Sequence, residues 1–143
     1  MPIYLGTAII IGKNIQLIIK GFEMSRKHKE YDQNIINALK SLPAPLKTYK
    51  GKEVLFDVNK RDETIFEHIA NKEHHLFVKD IEEIPRILLN KESLKQDNKS
   101  HRFHNYIGRR GKKNERAKYL KIITEIKKGN KESVVTIYVV KNN

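Results

Sequence analysis

The chain has no cysteine and no tryptophan among its 143 residues, and only four prolines. Without cysteine there is no disulfide staple, no thiolate metal ligand and no cysteine nucleophile. Long apolar runs are missing too. The longest, Ala8 to Ile11, is far short of the roughly 18 to 20 residues that span a bilayer. No charged segment precedes a signal-like apolar core, so a cytoplasmic protein that does not engage a membrane is expected.

The residues that are present suit one folded domain. Hydrophobic residues make up 38% of the chain and charged residues 32%. A chain of about 150 residues buries roughly two thirds of its unfolded surface, which is enough for a single core. Lys and Arg number 29 against 17 Asp and Glu, a formal charge of +12. That charge is concentrated: residues 99 to 128 hold eleven basic side chains and two acidic ones, which leaves only +3 for the rest. A localised basic block predicts an anionic partner, because neutralising phosphates and releasing their counterions supplies the sequence-independent part of nucleic-acid affinity. Within it, Tyr106, Arg109, Arg110, Lys112, Lys118 and Tyr119 interleave aromatic and basic groups, the combination that stacks on bases and grips phosphates. Gly108 and Gly111 interrupt any amphipathic stripe, which argues against a membrane surface.

Periodicity predicts an α+β fold. Ile3 to Ile11 and Asn14 to Lys20 read as a hairpin through Gly12 and Lys13. Tyr31 to Leu42 reads as a helix stopped by Pro43 and Pro45. Lys52 to Val58 alternates as a strand, and Asp62 is placed to cap a helix from Glu63 to about Asn71. Asp80 and Glu83 resemble a capping box opening a helix that bears Ile81, Ile84, Ile87 and Leu88, although Pro85 favours a later start. Asn90 to Lys113 has no apolar period and reads as a long loop. Lys118 to Ile126 and Ser133 to Val140 form the last hairpin, linked by Lys127, Lys128, Gly129 and Asn130. In its second strand Val135, Ile137 and Val139 oppose Val134, Thr136 and Tyr138. Helices packed on one face of an antiparallel sheet would leave Tyr119, Lys121, Thr136 and Tyr138 together on the other. One domain over 1–143 is expected, with an N-terminal hairpin and helix over 1–45 and a core over 52–140.

Six histidines open the way to acid-base chemistry near neutral pH or to metal binding. No HExxH occurs and no cysteine assists, so neither a metal site nor any other cofactor is expected.

The order of short motifs resembles a known family. His68-Ile69 on a helix, His74 six residues on, the Asp80-Ile81-Glu82-Glu83-Ile84 helix ending at Asn90, Lys118-Tyr119-Leu120-Lys121 and Val135-Thr136-Ile137-Tyr138 are together similar to phage-borne nucleases of the barnase, EndoU, colicin and RelE fold superfamily. The resemblance covers residues 52 to 140 and departs from the family pattern at Asn90-Lys91, where Asn-Pro is common. It implies a metal-independent, toxin-like ribonuclease with His68 and His74 in its active site. Lys121, with Lys118 or Arg110, would hold the scissile phosphate, and Thr136 and Tyr138 would line the sheet face. RNA would be the substrate, and an acidic inhibitor or antitoxin a possible partner. The competing expectation is a non-enzymatic basic protein that binds RNA or DNA and uses its histidines structurally.

Overall fold

The computed structural model describes residues 10, 11, 13, 14, 30–95, 101–111 and 118–141. The chain divides into two units, 1–30 and 31–143. In the first, β1 (Ile10–Ile11) pairs antiparallel with β2 (Lys13–Asn14). The rest of the expected hairpin lies outside the described residues.

The second unit starts with α1 (Gln33–Lys40), which Asp32 caps by accepting the Asn34 N–H at 2.9 Å. Ile35, Ile36 and Leu39 share the buried stripe that a 3.6-residue period provides. These side chains join the same core as the sheet. The helix therefore belongs with the main unit and not with an N-terminal extension ending at 45.

Six strands form the sheet: β3 (Leu46–Lys47), β4 (Glu53–Leu55), β5 (Leu94–Lys95), β6 (Phe103–Arg109), β7 (Tyr119–Lys127) and β8 (Lys131–Val140), in the order β3-β4-β8-β7-β6-β5. The fold is α+β, as expected, but the sheet is not wholly antiparallel, because β4 and β8 run parallel. A parallel pair needs a long crossover, and the chain between Leu55 and Lys131 supplies it. The loop expected over 90–113 contains β6, paired along its whole length with β7. Its alternation escapes a hydrophobicity pattern because the inward positions are His104, Tyr106 and Gly108, none of them aliphatic.

The helical connections start at caps two or three residues from those expected. Thr64, rather than Asp62, caps α2 (Ile65–Ile69), and Thr64 and Glu67 exchange side chain-to-backbone hydrogen bonds in a capping box. Asp80 does not open a helix but sits in the first turn of α3 (Val78–Glu82), where its Oδ2 accepts the Phe77 N–H. Then α4 (Ile84–Leu89) begins with Pro85 in its first turn, where a missing N–H costs nothing. Ile81, Ile84, Ile87 and Leu88 are fully buried, as are Leu120, Ile122, Val134 and Ile137 of the sheet. No described helix is long and apolar enough to cross a membrane.

The β7–β8 hairpin turns through Gly129 and Asn130, both at positive φ, as a tight connection between right-twisted strands requires. Its register shifts after Ile123: Ile123 faces Thr136, but Thr124 faces Val134. Val135 is thus the extra residue of a β-bulge. It was expected on the core face with Ile137 and Val139. Instead Val134 fills that face and Val135 is only partly buried.

Sheet and helix meet most closely at Gly108, where a Cβ would stand 2.4 Å from Ile87 Cγ1 and 2.9 Å from its Cδ1. Gly108→Ala is expected to lower stability by about 1–3 kcal/mol through overpacking, read from the urea midpoint. Combined with Ile87→Ala, its cost should be well below the sum of the single effects, because the second change removes the clashing atoms.

Candidate active site at the edge of the sheet

Among the described residues, β8 is paired with β4 only along Lys131–Ser133, so the later half of β8 has no strand on that side. The end of α2 and the 3-10 turn Lys72–His74 lie along this stretch and bring histidines to it. His68 sits at the fourth position of α2, four residues after the Thr64 cap. Glu63, just before the cap, is held by reciprocal backbone hydrogen bonds with Lys60. The residue before a helix cap packs naturally against the fourth helical position, and here both are polar. His68 Nδ1 lies 3.3 Å from Glu63 Oε1, and its Nε2 lies 3.2 Å from Thr136 Oγ1. A carboxylate only accepts, so Nδ1 carries the proton and Nε2 is left as the basic nitrogen.

His74 reaches the same place from the other end of α2. Its Nδ1 lies 3.1 Å from the carbonyl oxygen of Ile69, an acceptor left over at the helix end. That nitrogen must therefore donate, which again leaves Nε2 basic. The two imidazoles meet edge to face with centroids 5.5 Å apart.

The sheet supplies the remaining groups. Thr136 and Tyr138, two apart on β8, share a face about 7 Å apart. Lys121 of β7 is directly opposite Tyr138, and Tyr119 is opposite Val140 on that same face. Lys121 Nζ lies 5.7 Å from the centre of the Tyr138 ring, and the Arg109 guanidinium 6.0 Å from that of Tyr119. A diagonal neighbour across two strands is roughly 7 to 8 Å away, within reach of a lysine, so Lys121 can serve the region around Thr136. All four sheet residues are half-buried, while Arg109 and Lys118 are exposed.

Two expected substrate-binding residues have other work. Arg110 is only 8% exposed; its Nε and Nη2 donate to the two carboxylate oxygens of Asp80 at 2.8 Å, and the guanidinium lies against the Phe77 ring. It ties β6 to α3 and is not available to hold a phosphate. Tyr106 is buried on the core face and donates its hydroxyl to Glu132. A +9 block looks uniform in a string, whereas strand alternation sends every second side chain inward. Lys112 lies outside the described residues. Of the other histidines, His75 is an exposed left-handed cap, His101 is exposed, and His104 Nδ1 is 3.1 Å from Glu132 Oε2 but out of line for a hydrogen bond. Among the described residues no three His, Asp or Glu side chains gather as a metal site would.

Comparison of the chain with family models, with curated proteins and with solved structures gives no match. The site is thus judged on its geometry. It offers two orientated imidazoles, two hydroxyls and a cation, a set able to move protons and to stabilise negative charge. Glu63 was not anticipated. The signal for it was its place immediately before the Thr64-x-x-Glu67 box.

Burial holds the His68 imidazole below its ordinary pKa of 6.5, outweighing the opposing pull of Glu63, and nearby Lys60 and His74 push the same way as burial. The unfolded chain therefore takes up this proton first as pH falls. The stability this histidine contributes is complete above pH 6.5 and is lost as pH drops through the folded-state pKa. NMR titration should find His68 protonating below 6.5, and His68→Asn should flatten that part of the stability profile. Arg110→Met, which strands the Asp80 charge, is expected to cost about 3–5 kcal/mol in urea unfolding.

Proposed function

We propose that the protein is a metal-independent endoribonuclease that cleaves by attack of the 2′-hydroxyl on the adjacent phosphate. One observation carries this reading: two imidazoles with anchored Nδ1 atoms meet at 5.5 Å, and His68 presents its Nε2 to Thr136, on the side of the sheet that also displays Lys121 and Tyr138. In the proposed reaction a basic nitrogen removes the 2′-hydroxyl proton, O2′ bonds to phosphorus, and the bond from phosphorus to O5′ breaks. The leaving oxygen takes a proton from a general acid. The products carry a 2′,3′-cyclic phosphate and a 5′-hydroxyl. His68, kept neutral near pH 7 by burial, suits the base, and His74 takes the part of the acid. Lys121 meets the charge that develops on the phosphate, and Thr136 and Tyr138 donate orienting hydrogen bonds.

The resemblance to the barnase, EndoU, colicin and RelE superfamily supports this reading, including its toxin-like character and an acidic inhibitor as the partner that would restrain it. Arg109, Lys118 and Tyr119 would extend the grip along the RNA strand. The exposed Arg109 and Lys118 also suit the alternative, a protein that binds nucleic acid without cutting it. That alternative predicts binding that weakens steeply with salt and no turnover.

The deciding assay incubates RNA and its 2′-deoxy analogue with the protein in EDTA. RNA should be cut to cyclic-phosphate ends and the analogue left whole. Cleavage of both, or of neither, counts against the proposal. His68→Ala and His74→Ala should each lower turnover by about 10²- to 10⁴-fold while RNA binding changes little.

A further inference from the structure

Buried carboxylates are costly unless hydrogen-bonded, and Glu63 is buried to 8% exposure beside an imidazole that the proposed reaction uses. Its Oε2 accepts the Tyr31 hydroxyl at 2.9 Å, and its Oε1 faces His68 Nδ1 at 3.3 Å. Tyr31 is itself fixed, since its backbone bridges to Asn71, between α2 and the turn that bears His74. On the far side of the imidazole, Nε2 meets Thr136. The order Tyr31, Glu63, His68, Thr136 therefore runs from the start of the second unit to the sheet face without a break.

We propose that Glu63 is the positioning residue for His68. It fixes the Nδ1–H tautomer and the ring orientation so that Nε2 points to the substrate, with Tyr31 holding the carboxylate in place. This rests on the ribonuclease reading for its catalytic consequence, but the tautomer itself can be observed without any substrate. The geometry favours a positioning role over a merely structural one. A carboxylate needed only to satisfy the fold has no reason to engage the one ring nitrogen that faces away from Thr136. An imidazole between a carboxylate and a hydroxyl is the arrangement by which other enzymes select a tautomer, and replacing such a carboxylate by its amide has cost about 10⁴ in turnover with the geometry intact.

Charged groups acting on His68 are Glu63 and Lys60 from the segment before α2 and His74 from the 3-10 turn; the sheet contributes the neutral Thr136. Of these only Glu63 raises the affinity of His68 for a proton. Its neutralisation therefore lowers the pKa of the free enzyme's base, and the acid limb of kcat/KM moves to lower pH.

The test uses the full chain with Glu63→Gln and Tyr31→Phe, and reads three things: the ¹⁵N shifts of His68 by NMR, the kcat and KM for RNA, and the pH profile. In the unmodified protein His68 should be the Nδ1–H tautomer. In Glu63→Gln the tautomer should become mixed, kcat should fall about 10²- to 10⁴-fold, KM should stay within about threefold, and the acid limb should shift down. Tyr31→Phe should show the same changes more weakly, which covers the case in which Glu63→Gln does not fold. A folded Glu63→Gln, or Tyr31→Phe in its stead, with unchanged tautomer, rate and acid limb would overturn the positioning role while leaving RNA cleavage standing. A tautomer change in a protein that cleaves no RNA would support the positioning of His68 and overturn the ribonuclease reading.

Discussion

The extra residue at Val135 decides which side chains this sheet shows to solvent. In a regular strand the side-chain period is two, so a residue that faces the core at Val134 would put Thr136 inward and Ile137 outward. The bulge inserts one position, and β8 changes phase in mid-strand. Before it, Glu132 and Val134 are inside; after it, Ile137 is inside, fully buried. Thr136 and Tyr138 are thereby placed on the opposite face, in register with Ile123 and Lys121. A strand without the insertion could bury Val134 or expose Thr136, but not both.

Interior charge is handled separately from the charge that faces solvent. Glu132, 1% exposed, accepts hydroxyls from Tyr106 and Thr124. That burial and the nearby carboxylate push the Tyr106 phenol far above its usual pKa, keeping it a donor at any physiological pH. Asp80 and Arg110 form a two-pronged pair across the interface of β6 and α3, the geometry in which a guanidinium is best satisfied out of water. Both arrangements lie on inward-facing positions. They remove Tyr106 and Arg110 from the surface and leave Arg109, Lys118 and Lys121 as cations on the accessible side.

The same division explains how much could be read from the string of residues. Strands with aliphatic inward positions, β7 and most of β8, were legible from alternation, as was the apolar stripe of α1, and with them the shared face of Tyr119, Lys121, Thr136 and Tyr138. Strand β6 was not, because a tyrosine hydroxyl paired to a carboxylate and a glycine pressed on Ile87 occupy positions where an aliphatic side chain would have revealed the period. The bulge at Val135 was equally hidden: Ser133 to Val139 is consistent with either phase, and only the packing of Val134 chooses between them. His68 and His74 were identifiable as a pair, but the approach of His68 to Thr136 depends on long-range contacts that no local pattern records. Glu63 was missed since a carboxylate before a helix cap ordinarily faces water.

A single short helix sets the orientation of both imidazoles. Five residues, Thr64–His68, separate the carboxylate that anchors His68 from the carbonyl that anchors His74. One anchor comes from the position before the cap, and the other is the unpaired acceptor of the last turn. Ile65 and Ile69, both buried, fasten this helix to the core. The spacing between the two rings is consequently set by this helix and the 3-10 turn Lys72–His74 that follows it at once, rather than by a long loop. Sites borne on packed elements hold their geometry better than sites on loops, and for the proton donor and acceptor of the proposed cleavage, which would flank one phosphate, that fixed spacing is what the fold would have to supply.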